Sequence, residues 1–166
     1  MIIVVAGLPG SGKSYFAAKL AERMDAAYIN SDKVRKSMHA LGKYSFSDKI
    51  GIYKEMTKLA RQALLTHKFV VVDATFYRSE MRRLFIELAN DCAVLIRFIM
   101  VYADEVLIQH RLSRPRTDSE ADFKIYEIVK KEFDEFVFPH LQLESTDNNL
   151  DTMLRKAIEY IRNNHG

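Results

Sequence analysis

Two spacings of apolar residues alternate along the chain. Short runs rich in β-branched residues predict strands, and longer segments with apolar residues three or four positions apart predict helices. The predicted strands are Ile2–Ala6, Ala27–Asn30, 69–72, 94–101 and 141–144. The predicted helices are Lys13–Met24, 33–39, 48–67, 79–90, 104–114, 118–136 and 150–163. This alternation is typical of β-α-β units and therefore indicates an α/β fold around a parallel sheet.

Length and composition favour one domain that spans residues 1–166. Hydrophobic residues make up 48% of the chain, which is enough for a substantial core. The apolar runs are too short to cross a bilayer and no basic region precedes the first of them, so we expect a soluble, cytoplasmic protein without a membrane partner. The single cysteine, Cys92, cannot form an internal disulfide. A formal net charge of +3 does not by itself indicate a nucleic-acid partner.

The segment GLPGSGKS, residues 7–14, matches the phosphate-binding pattern G-x-x-x-x-G-K-[ST] and lies between a predicted strand and a predicted helix. Glycines allow the backbone to wrap a phosphate chain closely, and the N-terminus of the following helix favours negative charge. We expect Lys13 to reach the β- and γ-phosphates and Ser14 to offer its hydroxyl to Mg²⁺. The residues expected to contact the nucleotide in this segment are Leu8, Pro9, Gly10, Ser11, Gly12, Lys13, Ser14 and Tyr15.

Asp32 follows the second predicted strand. The helix Lys13–Met24 leads away from the phosphates and the strand Ala27–Asn30 returns, so Asp32 should emerge at the same edge of the sheet as the glycine-rich loop. A carboxylate there can accept the proton of an acceptor hydroxyl during phosphoryl transfer. The alternative is a structural role, in which Asp32 caps the N-terminus of the helix that starts at Lys33.

Asp73 and Thr75 follow the third predicted strand. The position of Asp73 suits an acid that holds Mg²⁺, directly or through water, or that fixes a nearby arginine. Thr75 is placed to contact phosphate or acceptor. The structural alternatives are a polar strand terminus for Asp73 and a turn or helix cap for Thr75.

Three arginines predict a lid over the triphosphate, near residues 111–118. Arg111 and Arg114 lie on one face of a predicted helix, and Arg116 follows directly after a proline. Guanidinium groups remain charged and donate hydrogen bonds in a planar fork, which suits a phosphate in transfer. A segment that closes over the site also excludes water and favours transfer over hydrolysis. Ordinary surface arginines are the alternative.

In this order and at these intervals, the stretches GLPGSGKS, INSDKVR, VVVDAT and HRLSRPR resemble the P-loop small kinases, the AAA-type ATP-binding family related to phage polynucleotide 5′-kinase, chloramphenicol phosphotransferase and zeta toxins. The resemblance implies a three-layer α/β/α sandwich whose five parallel strands have the order 2-3-1-4-5, with ATP as the phosphate donor. It also implies that Asp32 is the general base, that Arg35 contacts the acceptor, and that Arg111, Arg114 and Arg116 supply the lid cations. Phe76 departs from many members, which carry asparagine after the threonine of this strand.

The segment 33–47 is expected to lie beside the acceptor. It combines Lys33, Arg35, Lys36 and Lys43 with Tyr44 and Phe46, which suits a phosphorylated or nucleic-acid acceptor; alternatively it is a helical turn and a surface loop with both aromatic rings in the core. We expect an ATP- and Mg²⁺-dependent phosphotransferase that acts on the hydroxyl of a small molecule or nucleic acid, with no obligate protein partner. Two other classes of protein stay open: a nucleotide-dependent switch or assembly ATPase that activates water, and a nucleic-acid-binding module.

Overall fold

The computed structural model describes residues 1–114 and 122–163. Its strands are β1 (Ile2–Ala6), β2 (Ala27–Asn30), β3 (Val70–Asp73), β4 (Ile96–Tyr102) and β5 (His140–Glu144). Its helices are α1 (Lys13–Met24), α2 (Ser31–Ser37), α3 (Phe46–Ala63), α4 (Ser79–Asp91), α5 (Glu105–Leu112), α6 (Phe123–Lys131) and α7 (Leu150–Arg162).

All strand pairs in the sheet are parallel, and the strand order is β2-β3-β1-β4-β5. The order implied by the family resemblance is therefore confirmed. Asp73 is in register with Val5 of β1 and with Asn30 of β2, so the carboxyl ends of these three strands meet at one edge of the sheet. The loop 7–12 leaves β1 at this same edge.

Helices cover both faces of the sheet. On one face, alternate strand residues such as Val4 and Val72 pack with α3 and α4 through Met56 and Phe85. On the other face, Val5 and its neighbours pack with α1 and α7. Burial on both sides explains why the central strands are apolar without a polar alternation.

Several helix boundaries differ from the predictions, and two of these differences have clear local reasons. Helix α2 begins at Ser31 rather than 33, because Oδ1 of Asn30 accepts a 3.0 Å hydrogen bond from the backbone amide of Lys33. Asn30 is thus the helix cap, and the capping role considered for Asp32 is wrong.

Helix α6 ends at Lys131 rather than 136, and the start predicted at 118 lies outside the described residues. The chain beyond α6 bonds to the turn before α4: the amide of Asp134 donates to the carbonyl of Tyr77 over 2.8 Å, and Oδ2 of Asp134 accepts from the amide of Ser79. Among the helices described, none is long and apolar enough to span a membrane.

Candidate active site

The loop between β1 and α1 has the backbone of a phosphate cradle. Gly12 is the N-terminal cap of α1 and has φ 87°, a left-handed conformation that favours glycine. A Cβ atom at this position would lie 2.6 Å from Oγ of Ser145 and 3.1 Å from Nη1 of Arg111, so a side chain would displace these groups as well as strain the backbone. The first turn of α1 carries no acidic residue, which leaves its amide groups suited to an anion.

A cavity of about 960 Å³ opens beside this loop. It unites the loop, the start of α2 and the end of β3, as expected for an open parallel sheet. The predicted site residues that line it are Pro9, Gly10, Gly12, Lys13, Ser14, Tyr15, Asp32, Arg35 and Thr75. Three segments that are distant in sequence from one another therefore bring predicted site residues to one cavity.

Asp32 lies in the first turn of α2 and is partly buried. Burial raises the pKa of its carboxyl above the usual value, the positive charge of Lys13 opposes this rise, and the carboxylate of Asp73 adds to it. A raised pKa makes the ionised carboxylate a better proton acceptor. The electrostatic influence of Lys13 also places its ammonium group close to the carboxyl of Asp32.

Asp73 is completely buried beneath the loop and is held by β2. Its Oδ2 accepts a 2.8 Å hydrogen bond from the hydroxyl of Tyr28 and a 2.6 Å hydrogen bond from the side-chain amide of Asn30. The same tyrosine hydroxyl lies 3.3 Å from the backbone carbonyl of Ser14. Burial and the neighbouring carboxylate raise the pKa of Tyr28 far above its usual range, so its hydroxyl stays protonated and can donate.

Two oxygen atoms here are candidate ligands for a magnesium ion, Oγ of Ser14 and Oδ1 of Asp73. Oδ1 of Asp73 is buried and has no hydrogen-bond partner among the residues that the structure describes. Ser14 stands in the first turn of α1 at the lining of the cavity and is linked to Asp73 through Tyr28. Hydroxyl and carboxylate oxygens, completed by phosphate and water, are the ligands that Mg²⁺ prefers.

Two of the predicted lid arginines, Arg111 and Arg114, do not line the cavity. Arg111 donates from Nη1 to the carbonyl of Gly10 (3.3 Å) and to Oγ of Ser145 (3.1 Å), and it pairs with Asp147 at 3.6 Å. It therefore braces the outer side of the loop and does not line the cavity. Arg114 is exposed, 3.3 Å from Nε2 of His110. Arg116 and most of the lid predicted at 111–118 lie outside the described residues.

Leu8 and Ser11 also point away from the cavity. The side chain of Leu8 packs against Ile108 and Leu112 of α5. Ser11 is buried, and its Oγ lacks a hydrogen-bond partner within the described parts of the chain. Both residues therefore contribute their backbone to the loop, but their side chains do not line the cavity.

Phe76 belongs to the core, unlike the polar residue that stands there in many members of the small-kinase family. It is fully buried and makes edge-to-face contacts with Tyr53 and Phe85. Its amide donates a 3.0 Å hydrogen bond to the hydroxyl of Tyr53, which lies 3.3 Å from Oγ1 of Thr75. Phe76 thus fixes Thr75 at the cavity wall through Tyr53.

Residues 2–137 match the AAA domain family. The chain belongs to this family. It is 27% identical over 137 residues to an uncharacterized protein of Mycobacterium tuberculosis strain H37Rv, a match covering 75% of this chain and 28% of that protein. The chain thus spans little more than a quarter of the length of the curated relatives that it matches.

The fold is that of the P-loop small kinases. The APS kinase of Mycobacterium tuberculosis, solved in complex with AMPPNP and APS, is 19% identical, with a TM-score of 0.75 over 98% of this chain and 97% of that chain. A gluconokinase from Sinorhizobium meliloti 1021 is 16% identical, with a TM-score of 0.71 over 95% of this chain and 89% of that chain. The fold is therefore shared with these two kinases, and the family is that of the AAA domain.

Sequence reasoning missed the wall of the cavity that lies away from the loop. This wall comes from α3, from the turn after β3, from the start of α4 and from α6 with its C-terminal cap. Its residues are Lys49, Tyr53, Tyr77, Met81, Ile125, Ile128, Val129 and Glu132. One signal was available in the sequence. Ile125, Ile128 and Val129 form an apolar stripe at helical spacing, and Ile128 stays 54% exposed, as a residue facing a ligand cavity would be.

Arg82 ties this wall to the body of the protein. It is completely buried and donates to four backbone carbonyls: Phe76 (2.9 Å), Tyr77 (3.1 Å), Asp134 (2.6 Å) and Glu135 (2.7 Å). Its guanidinium also lies 4.3 Å from the ring centre of Phe136. The chain that follows α6 is therefore fastened to the turn that follows β3.

Proposed function

We propose that the protein is an ATP- and Mg²⁺-dependent phosphotransferase that moves the γ-phosphate to a hydroxyl acceptor. The observation that carries this proposal is the position of Asp32: a carboxylate with a raised pKa lies in the same cavity as Lys13 and the phosphate cradle. An ATPase that activates water needs no large acceptor space, whereas this cavity continues past Asp32 to α6.

In the proposed reaction, the acceptor hydroxyl attacks the γ-phosphorus while Asp32 takes its proton. A bond forms between the acceptor oxygen and phosphorus, the bond between phosphorus and the β,γ-bridging oxygen breaks, and ADP leaves. Lys13 and the amides of the loop offset the charge of the phosphates. Mg²⁺, held by Ser14 and Oδ1 of Asp73, would supply further positive charge beside them.

The arginines have two separate roles in this proposal. Arg35 lines the cavity three residues after Asp32 and is assigned to the acceptor. Arg111 holds the carbonyl of Gly10 and so stabilises the shape of the loop. The similarity in fold to an APS kinase and a gluconokinase supports transfer to an alcohol.

The test is a search for labelled product. Wild-type protein is incubated with γ-labelled ATP, Mg²⁺ and separate acceptors: nucleosides, nucleotides, sugars, sugar phosphates, aminoglycosides and 5′-hydroxyl oligonucleotides. The proposal expects label on one class of acceptor, and none with Lys13→Ala. Release of labelled inorganic phosphate alone, at a rate that no acceptor changes, would contradict it and favour an ATPase.

A further inference from the structure

A second, smaller chamber adjoins the acceptor end of the cavity. It has a volume of about 340 Å³, and the residues lining it are Tyr44, Phe46, Lys49, Tyr77, Arg78 and Glu132. Tyr44, Lys49, Tyr77 and Glu132 line the large cavity as well, so the two spaces share a wall. We call the smaller space the side chamber.

The cations around the side chamber are positioned by neutral groups. Nζ of Lys49 donates a 3.0 Å hydrogen bond to the hydroxyl of Tyr77 and lies 5.0 Å from the centre of that ring. The guanidinium of Arg35 lies 4.9 Å from the ring centre of Tyr44 and donates to the carbonyl of Lys43 over 3.1 Å. Hydroxyl, carbonyl and ring hold each side chain in place but do not cancel its charge.

Arg78 adds a third cation with unused donor capacity. Its Nε is buried and finds no hydrogen-bond acceptor among the described residues, although it forms an ion pair with Oδ2 of Asp134 at 3.7 Å. A buried guanidinium donor without an acceptor is costly unless a ligand satisfies it. Glu132 is the one carboxylate in the chamber lining, and it is exposed.

The aromatic residues of this region are not all in the core. Tyr44 is 40% exposed and Phe46 is 49% exposed, so the interpretation of segment 33–47 as a loop with both rings buried is wrong. None of Tyr44, Lys49 and Arg78 has a part in the proposed transfer. Their chemistry therefore points to recognition of the acceptor rather than to its reaction.

We propose that the side chamber binds a phosphate group of the acceptor, so that the substrate is a small phosphorylated compound whose reactive hydroxyl reaches Asp32. This inference rests on the proposed function, and it specifies the substrate class of that site. Lys49 and Arg78 would contact the phosphate directly, and Arg35 on the ring of Tyr44 would stand at the passage between the two spaces. Planar guanidinium donors and an ammonium group suit a phosphate dianion.

The test measures binding and does not depend on catalysis. The protein is saturated with Mg²⁺ and a non-hydrolysable ATP analogue, so that phosphate probes cannot enter the nucleotide site. Three pairs of probes are titrated by calorimetry: ribose 5-phosphate and ribose, AMP and adenosine, glycerol 3-phosphate and glycerol. We expect at least one phosphorylated member to bind about tenfold or more tightly than its partner.

Variants locate the bound phosphate. Lys49→Met and Arg78→Met should each remove most of the preference for the phosphorylated probe, and Lys49→Arg should retain most of it. Lys54→Met is the matched control, because Lys54 lies on the same helix and is exposed away from the cavity. Circular dichroism of each variant excludes unfolding as the cause.

Equal binding within all three pairs would overturn the inference, and so would a preference that survives both methionine variants. The experiments distinguish failure of the chamber assignment from failure of the proposed function. If the preference is present but no acceptor is ever labelled, the chamber assignment stands and the kinase proposal fails. If a phosphate-free acceptor is labelled and Lys49→Met has no effect, the kinase proposal stands and the chamber assignment fails.

Discussion

The hydroxyl of Tyr28 donates a 2.8 Å hydrogen bond to Oδ2 of Asp73 on the neighbouring strand. Because Asn30 binds the same oxygen, this side of the carboxylate is fully used, and only the buried Oδ1 stays available to a metal ion. In the proposed function, Tyr28 would therefore fix which oxygen of Asp73 is left for magnesium. Its hydroxyl also contacts the loop at the carbonyl of Ser14.

We predict that Tyr28→Phe lowers the free energy of unfolding by about 1.5–3 kcal/mol, because a hydrogen bond to a buried charged group is lost. Urea denaturation measures this change, with Tyr102→Phe as a control at an exposed ring. In the Asp73→Asn background the loss should be smaller, since the charged acceptor is absent. An equal loss in both backgrounds would show that Tyr28 does not act through Asp73.

The raised pKa of Asp32 predicts a pH-dependent stability difference. Burial makes the folded protein hold the Asp32 proton more tightly than the unfolded chain does, so ionised Asp32 destabilises the fold above its raised pKa. Asp32→Asn should therefore raise the melting temperature of the ligand-free protein at pH 7. This gain should vanish as the pH falls towards about 4, the usual value for a carboxyl.

The control for this experiment is Asp151→Asn. Asp151 is 93% exposed and pairs with Arg23 at 3.4 Å on the surface, so its removal should change stability by less than about 1 kcal/mol at any pH. A melting temperature of Asp32→Asn that equals the wild-type value across the whole pH range would contradict the assigned burial of Asp32.

Lys13 should contribute to nucleotide affinity. We predict that Lys13→Ala weakens binding of a fluorescent ATP analogue by about 10- to 100-fold, the loss expected for hydrogen bonds to a charged phosphate. Lys19→Ala is the matched control, because Lys19 lies on the same helix, exposed and paired with Glu22. Equal affinities of the two variants would remove Lys13 from the nucleotide site.

Arg82 should be essential to the fold rather than to chemistry. Arg82→Met leaves four backbone carbonyls without their donor, and we predict a loss of at least about 3 kcal/mol in the free energy of unfolding. Arg83→Met, at the exposed neighbouring position, should change it by less than about 0.5 kcal/mol. Similar urea midpoints for both variants would refute the tethering role of Arg82.

The sequence was most informative where one short pattern determines both the conformation of the backbone and the functional groups that it carries. The loop 7–14 combines glycines, Lys13 and Ser14 in eight consecutive residues, so its position could be predicted directly. Its cavity-lining residues were predicted too, together with Leu8 and Ser11, which do not line the cavity. The placement of Asp32 followed from the lengths of α1 and β2. The strand order came from the family resemblance, because periodicity alone does not give it.

The rest depends on pairings that no local pattern specifies. Tyr28 bonds to Asp73 only because β2 lies beside β3 in parallel register. The four residues of β2 carry no sequence signal that identifies β3 as the neighbouring strand. The buried Arg82 is adjacent to the exposed Arg83 in a charged stretch, and its acceptors lie in the turn after β3 and beyond α6. The outer cavity wall likewise needs α6 to be placed in space before its residues can be recognised.

The most direct test of the central claim is single-turnover transfer of γ-phosphate by wild-type protein and Asp32→Asn, using the acceptor that the labelling search identifies. If Asp32 is the general base, Asp32→Asn lowers the rate of transfer by about 10²- to 10⁴-fold while its affinity for the ATP analogue stays at the wild-type value. Transfer at the wild-type rate by Asp32→Asn would contradict the assignment of Asp32 and with it the proposed mechanism.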